Sequence, residues 1–86
     1  MMKKIIQTKT FKRALKKAHP NEKKSIDRVV RKIMASPEKG DAKKGDLSGA
    51  FTQTFNTHGT QFRLMYQFDE QTLTLLRFGS RENFYG

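Results

Sequence analysis

The chain has 86 residues, carries 18 Lys and Arg against 8 Asp and Glu for a net charge of +10, and has no cysteine. That length makes one domain with a modest core. It also excludes a membrane span, since no apolar run approaches ~20 residues. Disulfides and thiolate metal sites are ruled out, and the two histidines, His19 and His58, do not make a zinc site. The start, Met1-Met2-Lys3-Lys4-Ile5-Ile6, is basic and then apolar for two residues, too short for a signal peptide. The lack of cysteine fits a bacterial or archaeal cytoplasmic setting.

Residues 3–7 (KKIIQ) read as a short β-strand. Thr8 or Thr10 can cap a helix over residues 11–18, where Phe11, Ala14, Leu15 and Ala18 share a stripe. His19-Pro20-Asn21 ends it, and Asn21 can cap a second helix over residues 22–35. Ile26, Val29, Val30 and Ile33 form the apolar stripe of that helix, with Met34 beside it. The two helices make an α-hairpin. Ser36-Pro37 stops the second helix, and residues 38–49 are a polar connector anchored by Leu47.

Three strands follow, over residues 51–56, 61–68 and 72–79, joined by hairpin loops at Asn56–Thr60, with Gly59 at positive φ, and at Asp69-Glu70-Gln71. In the second strand, alternation places Phe62, Leu64, Tyr66 and Phe68 on one face and Arg63, Met65 and Gln67 on the other. In the first, Thr52 and Thr54 oppose Phe51, Gln53 and Phe55. In the third, strict alternation groups Arg77 with Leu73 and Leu75, opposite Thr74, Leu76 and Phe78. The order β-α-α-β-β-β predicts an α+β fold. An N-terminal strand and α-hairpin pack on one face of a small, mostly antiparallel twisted sheet, and the other face stays open unless a partner covers it.

Charge is unevenly placed. Residues 1–50 hold fifteen Lys and Arg against five Asp and Glu, while residues 51–86 hold three of each. A basic half of this density attracts nucleic acid or another strongly acidic partner through counterion release and long-range steering. Lys12, Lys16, Lys17, Lys23 and Lys24 are the helical nucleic-acid-binding cations that would steer the protein towards rRNA or DNA, and they need not touch a reacting phosphate.

The element order, together with Leu47-Ser48-Gly49, Phe62-Arg63-Leu64-Met65-Tyr66 and Gly79-Ser80-Arg81-Glu82, resembles the RelE/ParE superfamily of type II toxin–antitoxin toxins over nearly the whole chain. That resemblance implies a toxin neutralised by a cognate antitoxin that wraps it. In the RelE branch the activity would be a ribosome-dependent mRNA endoribonuclease (an mRNA interferase that inhibits translation), with the ribosome and mRNA as partners. In the ParE branch it would be a non-enzymatic inhibitor of DNA gyrase. An inactive toxin-fold RNA-binding module is a third reading. None of them involves a membrane, a metal or a cofactor.

Carried over by position, the RelE-type site would use Arg63 and Arg81 on phosphate, with Tyr85 in acid–base work or base stacking. Arginine suits this task because its planar charged fork pairs bidentately with phosphate oxygens. The sequence departs from the branch at Thr52 and Thr54, which stand where lysines are common; threonine can hydrogen-bond a phosphate but cannot neutralise it. His58, in the following loop, is the replacement proton carrier, or else a plain turn residue. The alternative for Arg63 is simple pairing across the sheet with Glu82 or Asp69, and Arg77 is either a second phosphate contact or a surface cation. Phe84 reads as core, and His19 as a cap or turn residue.

Overall fold

The computed structural model describes residues 4–42, 49–57 and 59–80. In chain order these form β1 (Lys4–Gln7), α1 (Lys9–Lys17), α2 (Pro20–Ala35), a 3-10 turn (Pro37–Lys39), β2 (Asp41–Ala42), β3 (Phe51–Thr57), β4 (Thr60–Phe68) and β5 (Thr72–Ser80). The five strands make one sheet in the order β1-β5-β4-β3-β2. β1 runs parallel to β5, and the remaining pairs are antiparallel. The expected α+β architecture is therefore present, with β2 as an addition inside the connector.

Each helix follows from its local sequence. Thr8 caps α1: its Oγ1 accepts from the Phe11 amide at 3.1 Å, satisfying one of the amides that a helix start leaves without a partner. α2 begins two residues earlier than expected. Pro20 occupies the first turn, where its missing N–H costs nothing, and His19 is the N-cap without a side-chain bond. Asn21 is therefore inside the helix rather than its cap.

One face of the sheet and both helices share the main core. Phe11, Ile26, Val29 and Ile33 meet Phe55, Leu64, Tyr66, Leu73 and Leu75, with Leu15, Val30 and Met34 packed at its margin. Aromatic pairs run along β3 and β4: Phe51 stacks on Tyr66 at 5.8 Å and Phe55 on Phe62 at 5.5 Å. The two hairpin turns form as expected. Thr57 pairs with Thr60 across a two-residue loop in which Gly59 has φ of 73°. At the other end, Asp69 Oδ1 accepts from the amides of Gln71 and Thr72 at 2.8 and 2.7 Å.

Candidate nucleic-acid interface

The face of the sheet away from the helices carries the strand arginines. Arg63 on β4 lies opposite Thr54 on β3 and Gly79 on β5. Two residues on, Met65 lies opposite Thr52 and Arg77. Arg63 and Arg77 are thus diagonal neighbours on one face, a relation that spans ~7–8 Å in a regular antiparallel pair and is bridged easily by long side chains.

This corrects the placement that strict alternation gives Arg77. Tyr66 pairs with Leu75 but Met65 pairs with Arg77, so Leu76 is an extra residue in β5. Such a β-bulge changes the parity of the strand beyond it. Three contacts agree. Phe78 turns to the helices and meets Phe11 edge-to-face at 5.1 Å. Leu76 packs against Met65 and Ala50 on the opposite side. Thr8 holds the bulge from beneath: its amide donates to the Leu75 carbonyl at 3.1 Å and its hydroxyl to the Leu76 carbonyl at 2.6 Å.

The face is not open throughout. Ala50 and Met65 are 2% and 5% exposed and form a second small core with Leu76. Thr52, expected to face nucleic acid, is 3% exposed beside them. Its burial follows from its register between Asp41 on β2 and Met65 on β4. Thr54 is exposed. Arg63 and Arg77 are half-buried, and Nε of Arg63 is shielded from solvent. Among the described residues, β3, β4 and β5 place no lysine, histidine or carboxylate on this face. The strands can therefore bind and neutralise phosphate but do not themselves supply a proton carrier. His58, Arg81 and Tyr85, with Glu82 and Phe84, lie outside the described residues.

The helical lysines belong to a different surface. Lys12, Lys16 and Lys23 rim a groove of about 610 Å³ between α1, α2 and β1. Its walls are Ile5, Phe11, Leu15, Ile26, Val30 and Leu75. Asp27 also lines it but is ion-paired with Arg31 at 3.2 Å. On the edge strand beside it, Ile5 and Ile6 are 42% and 41% exposed. Lys17 and Lys24 are exposed on the same helices. The groove lies on the helix side of the sheet, so its lysines cannot share a phosphate with Arg63. Sequence reading missed this groove because its walls come from four separate elements, β1, α1, α2 and β5.

The same fold occurs in solved structures. The chain aligns with the intact RelBE toxin–antitoxin complex of E. coli at 16% identity and a TM-score of 0.70, covering 87% of this chain and 92% of that one. It aligns with the RelBE2 toxin–antitoxin complex of Mycobacterium tuberculosis at 26% identity and a TM-score of 0.68, covering 94% and 100%. A conserved hypothetical protein of Helicobacter pylori gives 20% identity and a TM-score of 0.51, covering 95% and 97%. No curated protein matches the chain significantly. Residues 5–86 match the family model for the ParE-like toxin of type II bacterial toxin–antitoxin systems, and the chain belongs to that family.

Proposed function

We propose that this toxin is a ribosome-dependent mRNA endoribonuclease and that the arginine-bearing sheet face takes the RNA backbone. The observation that carries the reading is the placement of Arg63. It is a half-buried guanidinium on a rigid central strand, with exposed Thr54 and side-chain-free Gly79 as its cross-strand neighbours. In the reaction, the 2′-oxygen forms a bond to the adjacent phosphorus as the bond to the 5′-oxygen breaks. The 2′-hydroxyl proton is lost, the leaving oxygen gains a proton, and a 2′,3′-cyclic phosphate remains. Arg63 and Arg81 stabilise the charge that gathers on the phosphorane oxygens. Tyr85 or His58 moves the protons. Because β3–β5 carry no base, the ribosome supplies the substrate geometry.

A gyrase inhibitor is the second reading, and it is favoured by that same lack of a proton carrier on the three strands. Induction in growing bacteria separates the two. The nuclease gives a translation block with new, codon-phased mRNA ends, abolished by Arg81→Ala. Intact mRNA with stalled gyrase and DNA damage would reject it.

The antitoxin contact is proposed for the helix side rather than the sheet face. An apolar groove rimmed by Lys12, Lys16 and Lys23, next to exposed Ile5 and Ile6, fits an amphipathic antitoxin segment with acidic flanks.

A further inference from the structure

We infer that Arg77 and Arg63 form a two-arginine clamp for successive phosphates of a single RNA strand, created by the bulge at Leu76 and held by Thr8. The inference rests on the reading of this face as the RNA side. It adds a second phosphate contact and a device that positions it.

In a regular strand without the bulge, the order Leu75-Leu76-Arg77-Phe78 would send Arg77 to the helix side, into the packing of Leu73 and Leu75. With it, Arg77 pairs with Met65 and falls diagonal to Arg63. The diagonal step is close to the spacing of neighbouring phosphates along a nucleic-acid strand. Gly79, opposite Arg63, places no side chain between the two forks and the substrate from its own position. The bulge is also over-determined. Half-buried Leu76 packs against Ala50 and Met65 on one side, half-buried Phe78 packs against Phe11 on the other, and both bulge carbonyls accept from Thr8. A bulge that re-aims a side chain beside a functional site is a recurrent use of this irregularity. Thr8 is then a positioning residue: it touches no phosphate, and it fixes the strand segment from which Arg77 projects.

The test is binding of a single-stranded RNA oligonucleotide to the purified full chain over a salt series, read by fluorescence anisotropy. Each neutralised phosphate of a single strand contributes about 0.7 to the slope of log K against log salt. Arg63→Ala and Arg77→Ala are each expected to lower the slope by about 0.7, and the double variant by about 1.4. Arg77→Lys is expected to keep the slope while weakening binding, because a point charge replaces a fork. Thr8→Val is expected to move the slope towards that of Arg77→Ala, and Thr8→Ser, which keeps both hydrogen bonds, to restore it. A wild-type slope in Arg77→Ala beside a lowered slope in Arg63→Ala overturns the clamp and leaves the proposed RNA face standing. A wild-type slope in both overturns the RNA face as well. Should Thr8→Val not fold, the Arg77 variants decide the question.

Discussion

Tyr66 shows how one side chain ties the connector to the sheet. It is fully buried, its ring stacks on Phe51, and its hydroxyl donates to the Pro37 carbonyl at 2.6 Å. Gly40 passes so close that a Cβ there would overlap the Tyr66 hydroxyl oxygen and lie 3.0 Å from the Thr52 carbonyl. Tyr66→Phe is therefore expected to cost about 1–2 kcal/mol in urea unfolding, since it strands a carbonyl without its donor. Gly40→Ala is expected to cost about 1–3 kcal/mol, as overpacking does in a closed site. Burial pushes the Tyr66 hydroxyl above its ordinary pKa of 10.0, with Glu38 and Asp41 adding to the shift and the Gly40 backbone opposing it. The neutral phenol is thus favoured by folding. Its contribution is fully present below the unfolded pKa and is lost as pH rises through the folded one. Stability measured on the alkaline side of pH 10 should fall more steeply in the wild type than in Tyr66→Phe. Alternation alone assigns Tyr66 to the core. No local pattern reveals that its hydroxyl serves a carbonyl 29 residues earlier.

At the scale of elements, the hairpin turns and the bulge decide what the sheet presents. The carboxylate of exposed Asp69 has its pKa lowered by the amides of Gln71 and Thr72, so its help to the β4–β5 turn exists above the unfolded carboxylate pKa and fades in acid. Asp69→Ala should speed hydrogen exchange at the Gln71 and Thr72 amides near neutral pH, and the difference from wild type should shrink at low pH. Removing Leu76 should leave Arg77 opposite Met65 and Phe78 against Phe11, because Leu76 is the extra residue. A lost Phe11–Phe78 contact in nuclear Overhauser spectra would contradict that register. The helices and three long strands were legible because their periodicities are long and clean. The bulge left a trace in Leu75-Leu76, two apolar neighbours where alternation demands one, but a doublet does not say which residue is extra. β2 was illegible because two residues carry no period; only pairing with Phe51 and Thr52 defines it.

At the scale of the whole molecule, basic charge is divided between two sides of one sheet. The arginines face one way from β4 and β5, and the groove lysines face the other from α1 and α2. Sequence reading directed both sets to nucleic acid, the lysines as steering cations and the arginines as phosphate contacts, because residue order does not reveal the apolar groove that the lysines rim. The separation predicts separable defects. Reversing Lys12, Lys16 and Lys23 to Glu should weaken capture of the cognate antitoxin, in a salt-dependent way, while single-stranded RNA binding keeps most of its strength. Arg63→Ala should leave antitoxin capture unchanged. The most direct test of the RNA-cleaving face is primer extension on mRNA held in purified ribosomes with a defined codon in the A site, after addition of the purified toxin. The wild type is predicted to cut at that codon and Arg63→Ala to be slower by about 10²–10³-fold. Intact mRNA with the wild type, or equal cutting by Arg63→Ala, would contradict the account.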